Sequence, residues 1–413
     1  MAACTLGMCA LPGTKLGVGP TTRVDSREDG VLAVELMAPM ADALVWARVM
    51  RPPVPLVYLD LNHIVAMAKV HTRHPKAQPG YERLLDSATR AATELRAVFP
   101  LSESHVWEIA KIADPKQRRN LVDVLEPLTG YQYMLGRVTL AQLEFEAGIA
   151  AIAGEPPDVL GYPLIRPTIG HAFGVMGGLK IVDANGDDIT DEARRAMGPR
   201  EFDKKMAGLN VEFERRALRG PEDAEVDELR ERYGYKPEIA LESHQSRVEF
   251  ERETARLLDE HPEWRRGRLR DFVGAREFIH EWLDMFTRIK FARSKTGYPP
   301  FELTDDEMRT LMGAMPHVQV AISMKTRYHQ NPKHNWTAND VTDIDAMSVA
   351  FVYCDAVFTD KEARNALLAA RELRVLNTFV PRRAVELAEW LDALPVVVAP
   401  EILVPHPLRR PTS

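Results

Sequence analysis

The sequence predicts an α/β protein whose central, mostly parallel sheet is interrupted by a mainly α-helical insertion. Three observations lead there. Short apolar runs at 54–60 and 356–359 each run into an acidic residue, the pattern of a buried parallel strand that ends on a carboxylate. Strand-like and helix-like stretches alternate near both ends of the chain, as helix-covered sheets require. Between them, over about 129–314, charged helical stretches replace that alternation.

Taken in order, residues 1–30 are rich in Gly, Thr and small side chains without periodicity and read as a flexible tail. Residues 31–128 form the first half of the α/β core. An apolar stretch at 31–37 and a short helix at 41–49 are expected, the helix ended by Arg51-Pro52-Pro53 because proline cannot continue it. The strand at 54–60 passes into a helical pattern at 63–70. A second helix is expected over 81–98, then a short strand at 99–102 with Ser102 or Ser104 capping a helix through Glu108 and Ile112.

In the insertion, Asn185-Gly186 between β-like runs suggests a hairpin, and 201–219, 222–233 and 242–259 read as helices. Over 271–289, Phe272, Ala275, Phe278, Ile279, Trp282, Leu283 and Phe286 share one helical face. The α/β pattern returns over 315–392: helices from 318 and over 343–351, a strand at 356–359, a helix at 361–371, a strand at 375–379 and a helix at 383–391. Residues 393–413 form a Pro-rich tail.

The chain has 413 residues, 45% hydrophobic and 27% charged, an ordinary composition for a soluble protein with room for two or three domains. No apolar run is long enough for a membrane span, and the first residues lack the pattern of a secretory signal. Cys4, Cys9 and Cys354 have neither disulfide-framework nor zinc-site spacing, so a reduced, cytoplasmic setting is expected. A net charge of −7 excludes a simple basic coat for nucleic acid, but not a nuclease, whose metal site gathers carboxylates.

The chemistry lies in an acidic constellation. Asp60 ends the first strand, Glu108 falls in the first turns of the helix after the second, and Asp340, Asp343 and Asp345 precede the apolar stretch leading to Asp355 and Asp360. Mg²⁺ and Mn²⁺ prefer oxygen ligands, and metal-assisted phosphodiester hydrolysis needs several carboxylates drawn from different elements. Taken singly, each acid has a plainer reading: helix cap for Asp60, solvent-facing glutamate for Glu108, helix-dipole partners for Asp343 and Asp345, loop acids for Asp355 and Asp360.

The order of motifs resembles the PIN-domain nucleases, related to VapC-type toxins and flap endonucleases. Asp60-Leu61-Asn62 matches the opening Asp-x-Asn, and Leu101-Ser102 through Glu108 matches the Ser/Thr strand end followed by a helical Glu. Asp345-Ala346-Met347-Ser348 matches the third helix opening, and Val357-Phe358-Thr359-Asp360 the last strand with its acid. The resemblance covers about 54–128 and 315–392 and implies a PIN-like three-layer fold.

It also implies Mg²⁺ or Mn²⁺ held by Asp60, Glu108, Asp345 and Asp360, with Asp343 the alternative third ligand, and Asn62 and Thr359 orienting a carboxylate or water. The implied reaction leaves a 5′-phosphate and a 3′-hydroxyl. RNA is the expected substrate, through a ribonuclease of toxin or processing type that could have an antitoxin or other protein partner. A structure-specific DNA nuclease and a catalytically silent interaction module are the alternatives. Lys325, Arg327, Lys333 and Trp336 mix cations with an aromatic ring, a combination suited to single-stranded nucleic acid; a solvated loop anchored by Trp336 is the plainer reading.

Overall fold

The computed structural model describes residues 44–155, 161–233, 238–295, 302–397 and 403–405. Its strands are β1 (Val49–Arg51), β2 (Val57–Leu59), β3 (Tyr133–Met134), β4 (Tyr162–Pro163), β5 (Ile165–Arg166), β6 (Ala356–Phe358) and β7 (Val404–Pro405). Helices account for most of the rest, so the chain is mixed α/β and mostly helical, with small sheets of few strands.

The central ladder forms where the sequence is apolar and β-prone on both partners. β2 and β6 pair in parallel, with Val57 opposite Ala356, Tyr58 opposite Val357 and Leu59 opposite Phe358. Single parallel bridges widen it: Leu56 with Val98, Leu101 with Tyr133, and Ala356 with Phe379. Successive strand residues point to opposite faces. Accordingly Leu56, Tyr58 and Val357 enter one apolar cluster, with residues of the helices Pro316–His329 and Ala338–Tyr353. Val57, Leu59, Ala356 and Phe358 enter another, with the helices Leu61–His71, Tyr81–Thr93, Pro115–Thr129 and Ala384–Asp392. The ladder is therefore buried on both faces, which is why its strands read as continuous apolar runs.

Several boundaries differ from expectation. The stretch at 31–37 lies outside the described residues. Of 41–49, residues 44–48 carry no regular element and Val49 begins β1, which pairs with β4 and β7. The helix from Tyr81 ends at Thr93, with Leu95 in the left-handed region (φ 53°), so the chain can turn back into the sheet at Val98. The expected strand at 375–379 is reduced to the bridge at Phe379, because Arg371–Leu376 forms a 3₁₀ turn ended by left-handed Asn377.

The hairpin at Asn185-Gly186 is present as an antiparallel bridge between Val182 and Asp188. Tyr133, at the start of the stretch assigned to the insertion, bridges to Leu101 beside the central ladder. The inserted helices share core with the rest of the chain: Val248 of the helix Glu238–Glu260 packs with Val320, Met324 and Ile344, and Trp282 and Phe286 with Phe145 and Val318. A π-turn at Phe278–Trp282 interrupts the expected single helix over 271–289. Its wider turn rotates the face that follows. Trp282, Phe286 and Ile289 are consequently buried, whereas Ile279 and Leu283 are 56% and 40% exposed.

Candidate metal and nucleic-acid site

The parallel register builds the centre of the site. One residue past the paired Leu59 and Phe358 stand Asp60 and Thr359, and the Asp60 amide donates to the Phe358 carbonyl at 2.9 Å. Asp60 occupies the N-cap position of the helix Leu61–His71, yet its side chain makes no capping bond. It accepts instead from the Thr359 hydroxyl at 3.1 Å. Its carboxylate is thus turned toward the β6 end, where Asp360 follows.

Glu108 arrives through a different device. Ser102 caps the helix Glu103–Ala110, and His105 completes a capping box in place of the usual acid. The Ser102 amide donates to His105 Nδ1 at 3.0 Å, so the proton lies on Nε2, which donates to the Leu59 carbonyl at 2.8 Å. That bond ties the Glu108 helix to the strand residue just before Asp60. His105 escaped the sequence reading; a Ser followed three residues later by a side chain able to accept from the cap was the available signal. His63 also went unnoticed: its ring stacks on Phe358 at 3.6 Å and its Nδ1 meets the Tyr81 hydroxyl at 2.6 Å.

The fourth carboxylate is Asp343. Burial, then the charges of Asp60, Asp360 and Glu108, push it up to about 9. Burial and Asp60 push Glu108 up to about 7. These repulsions place Asp60, Glu108, Asp343 and Asp360 within one electrostatic neighbourhood. Asp360 also caps the helix Lys361–Ala369, its Oδ1 accepting from the Glu362 and Ala363 amides at 2.6 and 2.9 Å. Asn62 is exposed on the first turn of the helix after Asp60.

Asp345, the expected third ligand, belongs elsewhere. It leaves the helix Ala338–Tyr353 on another side, where Arg247 grips both its oxygens and Arg137 Nε approaches to 3.3 Å. Burial opposes its ionisation, but Arg137 and Arg247 outweigh that and hold it below the ordinary carboxylate range. The reason is angular: residues two apart on a helix point about 200° away from each other, so both cannot face one site. Asp340 accepts from Thr337 in a capping box, and Asp355 pairs with buried Arg51 and accepts from the Leu56 amide at 2.8 Å. Both are structural.

The proposed substrate contacts divide as well. Lys325 is buried and bridges Glu251 and Glu277, each at 2.6 Å, and Trp336 is 1% exposed among Tyr328, His329 and His334. Neither can reach a nucleic acid: an apolar helix face demanded the ring, and buried glutamates the ammonium. Arg327 and Lys333 are exposed.

Among the described residues, no three His, Cys, Asp or Glu side chains stand close enough as placed to share one metal ion. The donor set nonetheless fits a hard divalent cation. It consists of carboxylates from separate elements, one of them turned away from its own helix cap, and their mutual repulsion is what such a charge would offset.

No protein-family model, no curated protein and no solved structure matches the chain. Among the described residues no helix is long and apolar enough to cross a membrane.

Proposed function

We propose that this chain is a PIN-type, divalent-metal-dependent nuclease that cleaves RNA, built on a three-layer α/β core elaborated by the inserted helices. The observation that carries the reading is the strand register: β2 and β6 end side by side, so Asp60 and Asp360 emerge at one edge, with Glu108 and Asp343 in electrostatic reach. The C-terminal edge of parallel strands is the usual place for a site in helix-covered sheets. The resemblance of the four motifs to PIN-domain nucleases supports the same reading, with Asp343 in place of Asp345.

When bound there, Mg²⁺ or Mn²⁺ supplies a lowered water pKa and the positive charge that a phosphodiester needs in order to accept a nucleophile. Asp60, Glu108, Asp343 and Asp360 are the residues that would hold it. Thr359 orients Asp60 through its hydroxyl, and His105 sets the height of the Glu108 helix against β2. Exposed Arg327 and Lys333, on the segment leading to the Asp343 helix, offer cations for flanking phosphates.

Purified protein incubated with Mg²⁺ or Mn²⁺ should cut single-stranded RNA in preference to DNA flaps, with 5′-phosphate products. Asp60→Asn should remove that activity with the fold retained. Retained cleavage in this variant would sink the assignment, and preferential cutting of flaps would move the substrate from RNA to DNA.

A further inference from the structure

The inserted helices do more than cover the core. Arg247, on the inserted helix Glu238–Glu260, donates to both oxygens of Asp345 and, through Nε, to Glu281 at 2.7 Å. Arg137, from the helix Arg137–Ile152, contacts the same two acids, Glu281 at 2.9 Å and Asp345 at 3.3 Å. The four side chains form a closed ring of two cations and two anions. All are largely withdrawn from water, with side-chain exposures between 9% and 21%. The π-turn at Phe278–Trp282 is the segment that carries Glu281 into the ring.

One turn after Arg247, Glu251 takes the Lys325 ammonium at 2.6 Å and the His329 Nε2 at 2.8 Å. A single inserted helix therefore grips the helix Ala338–Tyr353 through Arg247 and the helix Pro316–His329 through Glu251. Those two helices border the carboxylate cluster: the first carries Asp343, and the second carries Tyr328, which lies in the field of Asp343 and Asp360.

We infer that Arg247 is a positioning residue for the carboxylate site: by holding Asp345 from the far side, it fixes the rotation of the helix that presents Asp343. This rests on the nuclease reading and names what keeps its site in register. The leverage is large. A carboxylate stands roughly 6 Å from its helix axis, so a rotation of about 10° moves it by about 1 Å. Errors of that size cost about 100-fold in rate when groups must be aligned. A guanidinium fork on a carboxylate resists rotation because two parallel bonds fix an orientation that one point contact leaves free.

The test uses the full chain with Arg247→Met and Arg247→Lys. Arg247→Met should keep its helical circular dichroism yet bind Mn²⁺ about 10-fold more weakly by calorimetry. RNA cleavage should fall about 100-fold in kcat with KM changed less than about two-fold, and Arg247→Lys should recover part of both losses. In metal-free protein, amide hydrogen exchange should quicken selectively across 341–350 in Arg247→Met and stay unchanged in the helix Leu61–His71. Unchanged exchange across 341–350, or Mn²⁺ affinity and kcat equal to the parent chain, overturns the inference. If the parent chain itself binds no Mn²⁺, the nuclease reading fails on its own, and the exchange experiment still decides the role of Arg247.

Discussion

Asp343 and Asp345 stand two residues apart on one helix, and their surroundings make them chemically opposite. Asp343 faces carboxylates on three other elements, and burial with like charge raises it to about 9. Asp345 faces two guanidinium groups that outweigh the cost of its burial and keep it ionised. The first arrangement withholds compensation for negative charge and is suited to receive a cation. The second supplies its own cations and suits only structure. A carboxylate's role here follows from what the opposite elements bring to it, a distinction invisible in a motif that contains both residues.

The contrast can be broken from either side. The largest effect is expected on catalysis: Asp343→Asn should reduce RNA cleavage by about 10³-fold or more, since it removes a proposed metal ligand. The same variant should leave stability unchanged or raise it by about 1 kcal/mol near neutral pH, because the folded chain no longer has to keep a buried carboxyl protonated beside other acids. Asp345→Asn should instead destabilise the fold by about 3 kcal/mol in urea unfolding, since it leaves buried guanidinium groups short of an anion. If the two substitutions produced the same pattern, the division of labour between them would be wrong.

A smaller effect is expected from pH. An unfolded chain releases the Asp343 proton near about 4, whereas the folded, metal-free chain keeps it up to about 9. The stability this group contributes is therefore full below about 4 and is lost as pH rises toward 9. Asp345 works in the opposite sense: its contribution is present above about 4 and is lost as pH falls through its lowered folded value. Between about pH 6 and pH 9 the Asp343 change dominates, so the metal-free melting temperature should fall by a few degrees. Mn²⁺ should restore more at the alkaline end, where it no longer competes with a proton. A Mn²⁺-induced shift independent of pH would argue against Asp343 as a ligand.

The smallest effects belong to the exposed cations. Arg327→Ala and Lys333→Ala should each raise KM for RNA a few-fold and lower the slope of log affinity against log salt by about 1, with kcat unchanged. A drop in kcat instead would place them in the reacting centre.

Much of the proposed site was legible in the chain. Asp60, Glu108, Thr359 and Asp360 could be found because each follows a short apolar or capped stretch whose local structure depends on neighbouring residues. The helical stretches of the insertion were legible for the same reason, through period and charge. The pairing of basic and aromatic residues at 325–336 was less informative: Lys325 and Trp336 carry the right chemistry for RNA, but burial, a property of distant partners, takes them out of reach. Ile279 and Leu283 were misplaced because a π-turn breaks the period on which the face was drawn.

The sequence by itself determined that the segments around 57–59 and 356–358 become strands running toward acids, since apolar runs and caps act over a few residues. Tertiary structure decided that Asp343 lies among the other carboxylates of the proposed site and Asp345 against the arginines. That choice depends on the rotation of one helix, and the rotation is held by Arg247, 98 residues away in the chain. No local pattern encodes a contact at that separation.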